Sequence, residues 1–343
     1  MASCNFCKAL ASPEDQLKNC VCGKASYCSK ECQVKDWKLH KPACPPFIIR
    51  ESPGKGRGLF ATRKIKEGQI ILDEYPLFIF QEGLKFSEFR TNHYPNIGEE
   101  TKGKMLKLYC AYPGPCDEVN KIFRIFCSNG SKICGDASVY SNTTELGIYN
   151  NIALLNHSCV PNASCSWVSG DFKRHQVRAI MNIEKDDEIL IGYENKFEFV
   201  YCYCSREVRQ QYLLKIGGFL CSCSECSLEG EDLEDNERMR KVAEEKMDEI
   251  MQLLDCGESI SRKSMKKVLK LSQQRVDLTK ELGLRTGFVG TMVLFYKMAL
   301  LAGTMDIPCV NDPEIYRQEA LKYAKIFGDN YIHLYNNQLL FSY

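Results

Sequence analysis

Eight residues near the N-terminus have the types and spacing of metal ligands. Two residues separate Cys4 from Cys7 and one separates Cys20 from Cys22; Cys28/Cys32 and His40/Cys44 are each separated by three. Zinc takes four thiolate or imidazole ligands in a tetrahedron, and a pair held by a tight turn or one helical turn presents two of them together. Cys28/Cys32 and His40/Cys44 stand at i,i+4, so each pair lies on one face of a helix. Lys41-Pro42 ends that helix. Four pairs make two sites, and the spacing leaves open how the pairs combine. An interleaved arrangement puts Cys4, Cys7, Cys28 and Cys32 on one ion and Cys20, Cys22, His40 and Cys44 on the other. A segment of about forty residues buries little apolar surface, so metal would supply most of its folding energy.

A second constellation is spread along the chain. Arg50 to Thr62 reads RESPGKGRGLFAT, and Gly54, Gly56 and Gly58 permit positive φ and close approach of backbone to a ligand. This is no dinucleotide fingerprint, because strand-like Leu59-Phe60-Ala61-Thr62 follows instead of a helix. It is no phosphate loop, because Gly-Lys-Ser/Thr is missing. Lys55 and Arg57 alternate with the glycines and could hold a carboxylate between them. Asn156 to Ala163 reads NHSCVPNA after the apolar run Ile152-Ala153-Leu154-Leu155. Glu188 to Tyr193, EILIGY, reads as a strand ending in tyrosine after a turn at Lys185-Asp186-Asp187. Cys221, Cys223 and Cys226 leave a structural zinc one ligand short, and Cys159 is the natural fourth.

The run YCSKECQVKDWKLHKPAC, Tyr27 to Cys44, resembles a MYND zinc finger, with YC-x3-CQ, then W-x2-H and a final cysteine. Its second pair is Cys-x-Cys where Cys-x2-Cys is common, and Gly23 follows at once. GKGRGLFA, ALLNHSCVPNA, EILIGY and Cys-x-Cys-x2-Cys, in that order, resemble the SET-domain lysine methyltransferases. Together these segments resemble the SET-and-MYND (Smyd) family. The finger precedes the SET segments in an arthropod-like arrangement, whereas in vertebrate members it is inserted among them.

The resemblance implies an α+β chain: a SET-domain β-clip fold with an N-terminal MYND zinc finger, a Cys-rich post-SET zinc site and an α-helical (TPR-like) C-terminal region. The implied boundaries are 1–44 for the finger, 45–200 for the SET domain with a helical insertion at about 81–127, 201–230 for the post-SET segment and 231–343 for the helical region. It implies S-adenosylmethionine held by Lys55, Gly56, Arg57, Asn156 and His157, with Asn129 a further contact and Phe219 a wall of the pocket or channel. The NHSC segment would thread beneath the Tyr193 segment as a pseudoknot. Tyr193 would be the catalytic residue at the methyl-transfer end of a narrow channel. Three zinc ions are implied, two in the finger and one on Cys159, Cys221, Cys223 and Cys226. Implied partners are histone or non-histone proteins bearing a target lysine, and proline-containing peptides at the finger, with Trp37 and Gln33 on that surface. Cytoplasm and nucleus are both expected locations.

The residue types suit that chemistry. Methyl transfer from a sulfonium to a lysine amine is an in-line displacement that needs a neutral amine, aligned reactants and excluded water more than a strong base. A tyrosine hydroxyl can accept from the amine, and oxygens near the methyl group stabilise its partial positive charge. One position departs from the family register. Arg209, Leu213, Phe219, Cys221 and Cys223 fit it, but the expected tyrosine falls on Gly217. That change would widen the channel, alter the degree of methylation or abolish activity. Tyr212 lies nearby but would point elsewhere from a helix. The competing reading is therefore a weak or inactive SET scaffold serving as a MYND-finger adaptor in transcriptional regulation. Cys202 and Cys204 read as unmetallated.

The elements that must position these residues follow from pattern and composition. The 343 residues suffice for about two or three domains. Net charge is +1 with 26% charged residues, so no polyelectrolyte footprint points to direct nucleic-acid reading. Arg262 to Lys267, RKSMKK, reads as a solvated helix face. MASCNFCKAL shows no charged-then-apolar leader, and no apolar run reaches roughly 18 residues. With 20 cysteines, these features favour a reducing interior, metal before disulfides and no membrane partner; a monomer is expected. The sequon at Asn142 then carries no meaning. Met239, Val242, Ala243, Met247, Ile250 and Leu254 recur at helical spacing, and helices are expected at Arg262–Leu282, Gly287–Ala302 and Pro313–Phe327. No clean 34-residue repeat is visible. The apolar finish Leu339 to Tyr343 reads as a truncated helical region.

Overall fold

The computed structural model describes residues 3–10, 16–20, 22–111, 114–133, 145–168, 170–193, 202–254, 260–309 and 312–328. The apolar finish and the sequon at Asn142 lie outside them.

The finger is built from two-residue strands and one helix. β1 (Lys18–Asn19) pairs antiparallel with β2 (Ser26–Tyr27). The helix Lys30–His40 starts where the Ser29 hydroxyl accepts from the Cys32 N–H, which satisfies one of the free donors of its first turn. Lys41–Ala43 tightens into a 3-10 turn with Pro42 inside it. Buried Tyr27 donates to buried Asp36 at 2.7 Å, so the polar atoms of this small core are paired. Arg63 joins the finger to the middle of the chain: it donates to the Cys44 carbonyl at 2.9 Å and lies 5.2 Å over the Trp37 ring.

That middle region holds three sheets among the described residues. In the first, β3 (Phe47–Ser52) pairs antiparallel with β4 (Gly56–Ala61), β4 with β12 (Glu188–Ile191), and β12 runs parallel to β9 (Asn156–His157). The β3–β4 turn takes φ +73° at Gly54 and +77° at Gly56, the left-handed region that a side chain disfavours. The second sheet has the order β10 (Ala163–Val168), β11 (Asp171–Ala179), β5 (Ile70–Glu74). The third has the order β6 (Phe78–Gln81), β8 (Glu145–Ile148), β7 (Ser131–Lys132). Between β6 and β7 the chain is helical, notably at Glu99–Met105 and Glu118–Asn129. Phe126 packs its ring 4.1 Å from Phe80 and 5.1 Å from Phe89, so the insertion shares the core of the sheets.

Four long helices complete the described chain: Gly230–Leu254, Arg262–Glu281, Arg285–Thr304 and Pro313–Phe327. Their apolar stripes bury Ile250, Met265, Val276, Phe295 and Phe327 in one cluster that also takes in Ile180 from the end of β11. Arg285 bonds Glu67 at 2.8 Å and the Ile180 carbonyl at 3.1 Å, which fastens the helices to the sheets. Among the described residues no helix is long and apolar enough to cross a membrane.

Candidate active site and metal centres

Three quartets bring ligand atoms within 4.8 Å of one another: Cys4, Cys7, Cys28 and Cys32; Cys20, Cys22, His40 and Cys44; and Cys159, Cys221, Cys223 and Cys226. In the finger the pairs are interleaved. Cys28 Sγ lies 3.5 Å from Cys7 and from Cys32, Cys20 Sγ lies 3.8 Å from Cys44, and Cys22 Sγ lies 3.3 Å from His40 Nε2. The third quartet has Cys159 and Cys226 at 3.6 Å. A tetrahedron with Zn–S bonds of about 2.3 Å has sulfur–sulfur edges of roughly 3.8 Å, so this donor set and its spacing fit zinc. Buried Arg209 sets its guanidinium 3.9 Å from Cys226 Sγ. Four thiolates around a divalent ion leave net negative charge, which a neighbouring cation offsets. Cys202 is buried against the first tail helices, away from these quartets.

The third quartet is tied to the NHSC segment through His157. Its Nδ1 accepts from the Tyr193 backbone N–H at 3.0 Å, which leaves Nε2 as the protonated nitrogen, 3.5 Å from Cys159 Sγ. The His157 side chain is thus committed inside the protein. Its ring lies 5.2 Å from Tyr193 and 6.1 Å from Phe219, and Phe219 meets Tyr193 edge-on at 6.0 Å. Parallel pairing of Asn156 with Leu190 and of His157 with Ile191 lays β9 beside the strand that leads to Tyr193. The Tyr193 hydroxyl donates to the Leu155 carbonyl at 2.7 Å, and burial is the main cause that pushes its ionisation up. It is a neutral phenol whose proton is already placed, so its lone pairs can accept.

The glycine loop meets Asn156 through a residue that the sequence motifs did not single out. Glu188, the first residue of β12, accepts from Asn156 Nδ2 at 2.7 Å and faces Lys55 Nζ at 3.4 Å. Asn156 also reaches the Arg57 carbonyl at 3.2 Å. A Cβ on Gly58 would lie 2.3 Å from the Glu188 carboxylate and 3.0 Å from the Asn156 amide, so glycine is what lets these groups close on the loop. Lys55 thus faces the protein's own Glu188 carboxylate, while Arg57 donates to the Lys107 carbonyl. Asn129 is not gathered to this group. Its amide donates to the carbonyls of Tyr109 at 2.7 Å and Ile125 at 2.8 Å, holding the insertion.

At Gly217, where the register calls for tyrosine, the Phe219 ring occupies the space: Phe219 Cε1 would lie 2.6 Å from a Cβ there. Tyr212 packs against the third quartet. The Tyr109 hydroxyl donates to the Gly217 carbonyl at 3.5 Å. No local signal could have brought Tyr109 here, because 108 residues separate the two. Glu188 had one, an acidic side chain opening an otherwise apolar strand. In the finger, Trp37 is half-buried against His40, 6.1 Å away, and Arg63, while Val34 and Leu39 are exposed.

The MYND finger family model matches residues 4–44 and the SET domain family model residues 56–194. The histone-lysine N-methyltransferase ASHR1 of Arabidopsis thaliana is 26% identical over 230 residues, covering 62% of this chain and 44% of that protein. The N-lysine methyltransferase SMYD2 of Homo sapiens is 26% identical over 239 residues, covering 66% and 52%. The histone-lysine N-methyltransferase SMYD3 of Mus musculus is 24% identical over 274 residues, covering 73% and 58%. The chain thus spans about half the length of these relatives. The MYND match ends before the SET match begins, and in carrying both the chain is similar to the SET-and-MYND (Smyd) family.

Proposed function

We propose that this chain is an S-adenosylmethionine-dependent protein-lysine N-methyltransferase acting on histone or non-histone proteins. The observation that carries the reading is the pairing of β9 with β12, which sets the Asn156 amide against the glycine loop and the NHSC segment against Tyr193. The identity of all three relatives as lysine methyltransferases supports it.

The donor set fits the amino-acid end of the cofactor: cationic Lys55 and Arg57 beside an amide, on a loop where glycines allow close approach. Lys55, Gly56, Arg57 and Asn156 would hold it, with the His157 backbone beside them, Phe219 as a wall and Asn129 as a further contact. S-adenosylmethionine, when bound, supplies the sulfonium methyl group. Tyr193 would accept a hydrogen bond from the substrate amine, since its own proton is given to Leu155, and so orient the amine lone pair. The rings of His157, Tyr193 and Phe219 make an apolar surround that favours the neutral amine over the ammonium ion.

The three quartets are proposed to hold three zinc ions, two in a finger spanning 1–44 and one in a post-SET segment at 201–230, with the SET domain at 45–200 and the helical domain at 231–343. The finger would dock proline-containing peptides on a surface that includes Gln33 and Trp37. The chain would act as a monomer in cytoplasm and nucleus. The test is calorimetry of S-adenosylmethionine on the zinc-loaded protein and on Asn156→Ala. The expected result is binding by the parent and a loss of roughly tenfold or more in the variant, about 1.4 kcal/mol. A folded, zinc-loaded parent that does not bind would sink the enzyme reading and leave the adaptor.

A further inference from the structure

We infer that Tyr109, carried by the segment between the helices Glu99–Met105 and Glu118–Asn129, supplies the second hydroxyl at the lysine end of the site, beside the Gly217 carbonyl. The inference rests on the proposed methyltransferase reading and adds to it a substrate-contacting residue from the insertion.

The backbone around Tyr109 is held on three sides. Arg57 of the glycine loop donates to the Lys107 carbonyl, Asn129 donates to the Tyr109 carbonyl at 2.7 Å, and the Ala111 N–H donates to Ser128 Oγ at 3.0 Å. One of these ties comes from the cofactor side and two from the end of the Glu118–Asn129 helix. They make a strap that crosses from the glycine loop to the end of the helix Arg206–Gly217. The side chain is 54% exposed. The hydroxyl reaches the Gly217 carbonyl at 3.5 Å, the outer limit for such a bond, so a better-placed partner would displace it at little cost. Tyr109 also lies within the electrostatic field of Tyr193: after burial and Glu188, it is a further cause that makes that phenol harder to ionise.

A Cβ at position 217 would meet the Phe219 ring that faces Tyr193, so an aromatic side chain there would require that ring to shift. A primary amine that attacks with its lone pair has two N–H bonds to place. One acceptor leaves rotation about the Cε–N bond free, and a second removes it. The Tyr193 hydroxyl is turned to the Leu155 carbonyl inside the protein and Tyr109 is an exposed side chain, and in the inferred arrangement each hydroxyl would take one N–H.

The test uses the full zinc-loaded chain and two probes, measured by calorimetry on the parent and on Tyr109→Phe. One probe is S-adenosylhomocysteine. The other is a bisubstrate analogue in which a butylammonium arm stands where the transferable methyl group would be. The expected result is unchanged affinity for S-adenosylhomocysteine in Tyr109→Phe and a loss of about three- to tenfold in the advantage conferred by the arm. If the parent binds neither probe, the methyltransferase reading fails and this inference falls with it. If the parent binds S-adenosylhomocysteine but the arm adds nothing, or Tyr109→Phe keeps the whole advantage, the role of Tyr109 is overturned while the cofactor pocket stands. Equal losses for both probes would make the strap structural and overturn the inference as well.

Discussion

The finger and the helical tail solve the same problem with different materials. In the finger the buried cluster is Cys4, Cys20, Ala25, Tyr27 and Cys44, so most of its core residues are candidate metal ligands. In the tail the buried cluster is Met265, Val268, Val276, Met292, Phe295 and similar side chains from successive helices. A short segment with two-residue strands cannot bury enough apolar surface to offset its chain entropy, whereas long amphipathic helices can. The difference teaches where each part is vulnerable: metal loss in one, packing loss in the other.

The largest expected effect breaks the finger alone. Zinc binding to such sites contributes on the order of 10 kcal/mol. Chelation should therefore remove amide-exchange protection from β1, β2 and the Lys30–His40 helix while the tail helices keep theirs. The order of release should follow access: Cys7 and Cys28 are exposed in the first quartet, whereas all four ligands of the third are buried. Chelator titration followed by native mass spectrometry reads this directly. Loss of the buried quartet's ion first, or protection lost equally in tail and finger, would refute the contrast.

A smaller effect is expected at the joint between ligand-built and apolar-built parts. Arg240, 1% exposed, pairs with Glu225 at 2.8 Å, next to Cys226 of the third quartet, and also bonds Asn236 and the Cys202 carbonyl. Arg240→Ala leaves a carboxylate without its cation and should cost about 3–5 kcal/mol in denaturant unfolding with zinc retained. A loss under about 1 kcal/mol would show that the third quartet and the tail are energetically separate.

The smallest effect sharpens the tail side. Gly303 lies in the last turn of Arg285–Thr304 with open space where a Cβ would go. Gly303→Ala should stabilise the tail by about 0.4–1 kcal/mol, through a less disordered unfolded chain. Thermal unfolding that moved the other way would mean that the helix end is not held as described.

Much of this was legible in the sequence because it depends on neighbours in the chain. Paired cysteines, the glycine loop, the strand before Tyr193 and the tail helices are local patterns. Observed helices at Arg262–Glu281, Arg285–Thr304 and Pro313–Phe327 lie within about two residues of the expected bounds, the usual latitude at frayed ends. The partner of Asn129, by contrast, was not legible: its amide donates to the Tyr109 carbonyl, 20 residues away, and only the fold brings the two together.

The sequence by itself determined which side chains are available and how each pair is preset: Cys28 just before a helix cap with Cys32 in the first turn after it, Cys221 with Cys223 and Cys226 in one short segment, Gly54 and Gly56 where the chain must turn back. Tertiary structure decided the joins between them. It put Cys159 with the other three thiols, Glu188 between Lys55 and Asn156, and Tyr109 beside the Gly217 carbonyl. The physical reason is range. Backbone geometry relates residues a few positions apart whatever the fold, but residues a hundred positions apart meet only when the whole set of buried contacts brings their segments together.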